Sequence, residues 1–168
     1  IMGNSSSLQL CNGIDYLLNG TTKVQSIKVR NNSLTGQSST SASVNNINVV
    51  AADATYKISG EISYNTINSN TAASVTALCM DYARPAVHHN LIYRVWRGIY
   101  LLNYSNSTLY NNTIDTNTER GLMISTTTST AYVVNNIFTR NVTGITIPAG
   151  NTSQILYCEV TNTRNYLG

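Results

Sequence analysis

The sequence predicts an all-β solenoid: about six stacked coils of parallel strand, with little or no helix. Three observations carry that prediction. A short motif recurs at a near-constant interval, the apolar residues around it alternate as strands require, and the polar residues within it are almost never charged.

Composition sets the frame. The 168 residues, 42 % of them hydrophobic, suit one domain with a long narrow core, read here as a single unit over residues 1–168. Charged residues make up 10 % of the chain, against roughly a quarter in an average soluble domain, so solubility rests on Asn, Thr and Ser. Ile, Val, Leu and Tyr recur throughout and prolines number 2, which argues against disorder. The net charge is +3, and Arg30, Arg84, Arg94, Arg97, Arg120, Arg140 and Arg164 are scattered rather than gathered into a stripe, so nucleic acid is not an expected partner. No apolar run reaches the roughly 18 residues of a membrane span. The opening Ile1-Met2-Gly3 lacks the charged and apolar regions of a secretion signal, so any signal is expected upstream or already removed.

The motif is an apolar residue, two variable residues, Asn, one variable residue and a second apolar residue. It runs Val29 to Leu34 around Asn32, Ile62 to Ile67 around Asn65, Val87 to Ile92 around Asn90, Leu109 to Ile114 around Asn112, and Val133 to Phe138 around Asn136. Ile155 to Val160 carries Cys158 in the Asn place, and Leu8 to Cys11 is a weaker copy. Most intervals are about 21 to 25 residues, the length of one β-helical coil. The interval from Asn32 to Asn65 is longer. It contains Ala42-Ser-Val-Asn45-Asn-Ile47, read as an inserted excursion because about 13 residues cannot close a coil of this width.

Two further registers travel with the motif. A second Asn follows the first by five residues at Asn70, Asn117 and Asn141, and a glycine opens an apolar segment at Gly98, Gly121 and Gly144. Each coil is therefore read as a first strand, an Asn turn and a second strand opened by Gly. An Asn at a turn can take left-handed backbone angles, and its amide can bond the same amide one coil above and below, roughly 4.8 Å away. Asn32, Asn65, Asn90, Asn112, Asn136 and Cys158 are the expected ladder. A charged side chain in such a column would face its own copy, which accounts for the scarcity of charge.

These residues resemble the right-handed parallel β-helix repeat of the pectate-lyase-like superfamily and of cell-surface β-helix repeat proteins, over nearly the whole chain from about Leu8 onward. The resemblance implies architecture, and leaves open polysaccharide lyases, glycoside hydrolases, adhesins and purely structural filaments. The Asp-rich metal clusters of the lyases and the paired-aspartate and Gly-His-Gly signatures of polygalacturonases have no counterpart here. The end coils leave no room for capping helices, so the domain is expected to be part of a longer chain or of an end-to-end assembly.

Reactive side chains concentrate at Asp81, Arg84, His88, His89, Arg94 and Arg97, with Asp115, Glu119 and Arg120 one motif later. Arg97 and Glu119 share an offset from their ladder Asn and are expected to meet as an ion pair across one coil. A catalytic reading would use His89 or His88 as the base and Arg94 and Arg97 to neutralise a uronate carboxylate, with Glu119 as a further candidate. Asp115 and Glu119 are the one close carboxylate pair for hydrolysis. Arg94, Trp96, Arg97, Tyr100 and Arg120 form the corresponding carbohydrate-binding set, Tyr being abundant at 11 copies. His88 and His89, adjacent in a strand, are expected to point to opposite faces, so no metal is expected, and no cofactor. Asn-x-Ser/Thr acceptors occur at Asn4, Asn19, Asn31, Asn103, Asn106, Asn111, Asn141 and Asn151. Cys11, Cys79 and Cys158 are read as buried thiols rather than a zinc site or a disulfide framework.

The expected function is an extracellular or cell-surface structural or adhesive β-helix module, self-assembling with neighbouring copies. The alternative is a carbohydrate-active module, a polysaccharide lyase, glycoside hydrolase or glycan binder, acting on an acidic polysaccharide.

Overall fold

The computed structural model describes residues 13–18, 24–35, 44–55, 57–69 and 74–167. Ladder copy Cys11 and residues Asn4, Asn19 and Asn70 lie outside them. The described chain contains strands and no helix.

Each coil carries three strands. The first has β1 (Ile14–Leu18), β2 (Val24–Arg30) and β3 (Ser33–Leu34); the second β4 (Val44–Ala51), β5 (Lys57–Ser63) and β6 (Thr66–Asn68); the third β7 (Val75–Asp81), β8 (Ala86–His88) and β9 (Leu91–Tyr93). The fourth has β10 (Arg97–Leu101), β11 (Asn106–Tyr110) and β12 (Thr113–Asp115); the fifth β13 (Arg120–Ile124), β14 (Thr130–Val134) and β15 (Ile137–Thr139); the sixth β16 (Thr143–Thr146), β17 (Gln154–Leu156) and β18 (Glu159–Thr161), followed by β19 (Arg164–Leu167). Every third strand pairs in parallel, giving one seven-stranded and two six-stranded sheets. The fold is a right-handed parallel β-helix with three faces and three corners.

Inward residues stack by type along each face. Ile47, Leu78, Ile99, Leu122 and Ile145 form a column in the first sheet, Ile62, Val87, Leu109 and Val133 in the second, and Leu34, Ile67, Ile92, Ile114 and Phe138 in the third. All are fully buried. The continuous ladder of backbone bonds along each sheet ties up the strand N–H and C=O groups, so that this narrow interior can be filled mainly by apolar side chains.

Two readings of the repeat are corrected. The coil has three strands rather than two: Leu109 lies on β11 and Ile114 on β12, so Asn112 sits at a corner between separate sheets. A two-strand reading absorbs the short third strand into the turn. Second, Val44 to Ile47 is no excursion. It belongs to β4, in register with β1 and β7, with Val44 and Ile47 fully buried. The added length of this coil lies in the connection from Leu34 to Val44, where a regular coil runs only from Tyr93 to Arg97, and in the strands themselves, β4 and β5 having 8 and 7 residues where β10 and β11 have 5 each.

Glycine opens the first-sheet strands because the interior is tightest there. A Cβ on Gly121 would lie 2.7 Å from the Gly144 carbonyl oxygen and 2.9 Å from a Phe138 ring carbon.

Candidate functional site

The corner between the second and third sheets holds the Asn ladder. Asn65, Asn90, Asn112 and Asn136 are no more than 2 % exposed. Each Oδ1 accepts twice from the coil before it: Asn112 Oδ1 takes the Asn90 backbone N–H at 3.1 Å and Asn90 Nδ2 at 2.9 Å. Each Nδ2 donates onward and back, Asn112 Nδ2 reaching Asn136 Oδ1 and the Val87 carbonyl, both at 2.9 Å. The pattern repeats from Asn32 onward, with intervals of 33, 25, 22 and 24 residues. No polar atom of an interior rung is left unpaired, which is what permits an amide in an apolar core. Aspartate could not replace it, having no donor and a charge facing its own copy. Cys158 continues the column loosely, its Sγ 3.5 Å from the Asn136 N–H.

The left-handed residue at this corner is not the ladder Asn but the one before it: Asn31, Tyr64, His89, Asn111, Asn135 and Tyr157 have φ between 54° and 57°. That backbone kink turns the ladder side chain inward and its predecessor outward.

The other corners have ladders too. At the corner between the third and first sheets, Asn117, Asn141 and Asn162 stack, Asn117 N–H donating to Asn141 Oδ1 at 3.0 Å and Asn141 N–H to Asn162 Oδ1 at 2.8 Å. Asn162 N–H is closed off by Asn165 Oδ1 at 2.9 Å. At the corner between the first and second sheets Ser105, Ser129 and Ser153 accept from backbone N–H groups one coil earlier. Asn162 escapes sequence reading because it follows Cys158 by four residues rather than five. The serines escape because serine is common throughout the chain, although they recur at the coil interval.

The reactive residues do not form one site. One coil visits all three faces, so sequence neighbours spread around the circumference. Asp81 lies at the first corner, His88 and His89 at the second, and Arg94 and Arg97 at the third, the last two separated from the histidines by β9, roughly 15 Å of extended chain. His89 and Arg97 therefore face no common groove.

What the first sheet does gather is Trp96, Arg97, Tyr100, Glu119 and Arg120. Arg97 stacks directly on Arg120 in the parallel register, and Glu119 bridges them, binding Arg97 Nε and Arg120 Nη1. The Arg97 guanidinium also lies 3.7 Å from the Trp96 ring centre and 5.0 Å from that of Tyr100. The expected Arg97–Glu119 pair is present, and it occupies the groups a uronate would need. Arg94 is exposed at the neighbouring corner. Asp115 is held by Arg140 and Thr139; burial raises its pKa, but hydrogen bonds from Arg140 and Thr139 outweigh that and set it below the usual carboxylate value. Neither member of the Asp115–Glu119 pair is a free carboxylate.

At the second corner the histidines converge, against expectation. Strand alternation stops at His88, because His89 has φ 54°, and the two Nδ1 atoms lie 3.0 Å apart. Among the described residues no group of three or more His, Cys, Asp or Glu could hold a metal ion.

Of the described glycosylation acceptors, Asn31 and Asn111 are exposed, whereas Asn141 is fully buried in its ladder. Asn103, Asn106 and Asn151 are half-buried with side chains already hydrogen-bonded. Cys79 is buried, and desolvation, reinforced by Asp81 and opposed by Arg97, pushes its thiol up to about 12. No described helix is long and apolar enough to cross a membrane.

No curated protein and no solved structure matches the sequence. The family model described as right handed beta helix region matches residues 12–167, and with parallel coils and stacked ladders among the described residues, the chain belongs to that family.

Proposed function

We propose that the chain is a structural or adhesive β-helix module of an extracellular or cell-surface protein, whose work is done by a rigid outer surface rather than by a reacting centre. The carrying observation is that the carboxylates a catalytic reading would call on are spent in ion pairs: Glu119 on Arg97 and Arg120, Asp115 on Arg140, and Glu61 on Arg30 and His88. Low charge and three amide or hydroxyl ladders also suit a stiff rod with little surface for a protease to open.

The second reading, a binder of acidic polysaccharide, is favoured by the Trp96, Arg97, Tyr100 and Arg120 face, where aromatic rings and guanidinium groups adjoin. A panel of uronate polymers separates the two. The structural reading expects no rise in ultraviolet absorbance from unsaturated products and no retention on the immobilised polymers. Retention lost in Arg97→Ala would support the binder, and an absorbance rise would overturn the non-catalytic reading.

A further inference from the structure

We propose that His88 and His89 form a preorganised two-imidazole site for a transition-metal ion of the Cu(II), Ni(II) or Zn(II) type, water completing the coordination. The proposal does not depend on the structural reading above.

The geometry comes first. Two ligands about 2.0–2.1 Å from one metal and at a right angle to each other lie about 2.9 Å apart. The Nδ1 atoms stand 3.0 Å apart, with the rings at 87°. A hydrogen bond also fits that distance, so the outer nitrogens decide what the inner ones can do. His88 Nε2 lies 3.4 Å from Glu61 Oε2, and Glu61 is held at 2.9 Å by Arg30 Nε. The carboxylate calls for the His88 proton at Nε2, which leaves His88 Nδ1 unprotonated beside the Nδ1 of its neighbour. A carboxylate bonded to the far nitrogen of an imidazole is also the usual outer partner of a metal-ligating histidine.

The rings are held in place. His88 stacks on Tyr110 with centroids 4.6 Å apart and meets Tyr64 edge-on, and His89 stacks on Tyr64 at 4.9 Å. The left-handed backbone that swings His89 toward His88 is common to the corner and is imposed by the coil whether or not an ion is bound. Little rotamer freedom remains to be lost on binding. His88 is 8 % exposed and His89 is exposed, so the site opens to solvent on one side.

The proton inventory closes. Without metal, His89 carries its proton at Nδ1, donates to His88 Nδ1, and accepts at Nε2 from Asn111 Nδ2, 3.3 Å away, while Asn111 Oδ1 accepts from Asn135 Nδ2 at 2.7 Å. With metal on both Nδ1 atoms, the His89 proton passes through solvent to Nε2. The exposed amides of Asn111 and Asn135 then turn over so that each presents its oxygen. No net proton is released, and His89 changes tautomer. Imidazole ligands select Cu(II) over Ni(II) and Zn(II), and oxygen-seeking Mg(II) and Ca(II) should not bind.

The test uses the whole chain freed of metal by chelation and titrated with Cu(II), followed by calorimetry and electron paramagnetic resonance. The comparison variant is His89→Asn, which keeps a residue tolerant of the left-handed backbone and matches Asn111 and Asn135 in the same column; equal melting temperatures check that it folds. Expected are one Cu(II) per chain with two imidazole nitrogens in the spectrum, affinity at least ~10-fold lower in His89→Asn, and about tenfold lower in Glu61→Gln. Equal binding by the wild type and His89→Asn, or no saturable binding by the wild type, would overturn the proposal.

Discussion

At the corner between the second and third sheets two columns stand one residue apart and obey different rules. The inner one reads Asn32, Asn65, Asn90, Asn112, Asn136 and Cys158, the outer one Asn31, Tyr64, His89, Asn111, Asn135 and Tyr157. Inside, each side chain must accept from the rung before it and donate to the rung after it in a site largely closed to water, and asparagine meets that demand without charge. Outside, the backbone asks only for a left-handed residue. Solvent satisfies whatever the side chain offers, so Tyr and His are tolerated despite roughly 1–2 kcal/mol of steric cost. Inner columns therefore record the fold, and outer columns are where a function could be written.

The largest expected break in this comparison is Asn112→Ala. It removes the acceptor for two Asn90 donors and leaves the Val87 carbonyl and Asn136 Oδ1 short of a partner. With each stranded buried group costing about 1–3 kcal/mol, the loss should be about 4 kcal/mol by urea unfolding. Gly121→Ala comes next: its Cβ would press on the Gly144 carbonyl and the Phe138 ring, at a cost of about 2–3 kcal/mol in the same assay. Cys158→Asn should go the other way, restoring a proper acceptor for the Asn136 N–H, and raise stability by about 0.5–1 kcal/mol.

The smallest effect belongs to the outer pair of Asp115 and Arg140. Because Asp115 is depressed in the folded chain, its contribution is fully present well above the unfolded carboxylate value of about 3.9 and is lost as pH falls through the folded value. Asp115→Asn should therefore be slightly less stable than wild type at neutral pH, with the difference vanishing in strong acid, as followed by thermal melts from pH 7 downward.

The same contrast explains what could be read from the chain beforehand. Asn65, Asn90, Asn112 and Asn136 were legible because burial leaves one residue type able to do their work, and Arg97 with Glu119 because a shared offset is a shared column. Outer residues carry no such constraint. The convergence of His88 and His89 depends on a left-handed backbone angle that strand alternation does not anticipate. The expected groove of His89, Arg94 and Arg97 dissolved because nearness along one coil means separation around it. Val44 to Ile47 reads as an excursion in the sequence because its coil is lengthened before β4 and within β4 and β5, which hides the register that β4 keeps. Some interior polar groups have no physical account, among them Ser63 Oγ, Asn117 Nδ2 and above all Asn46, fully buried with both side-chain polar atoms unpaired in the place that Ala77, Gly98 and Gly121 take in later coils.

A double-mutant cycle on Asn90 and Asn112 tests the stacked amides most directly, with Asn111 and Asn135 as the outer counterpart. Alanine at both inner positions should show a coupling of at least about 1 kcal/mol, while the outer pair should be additive within about 0.5 kcal/mol. Additivity at Asn90 and Asn112, or equal coupling in the two columns, would contradict the account.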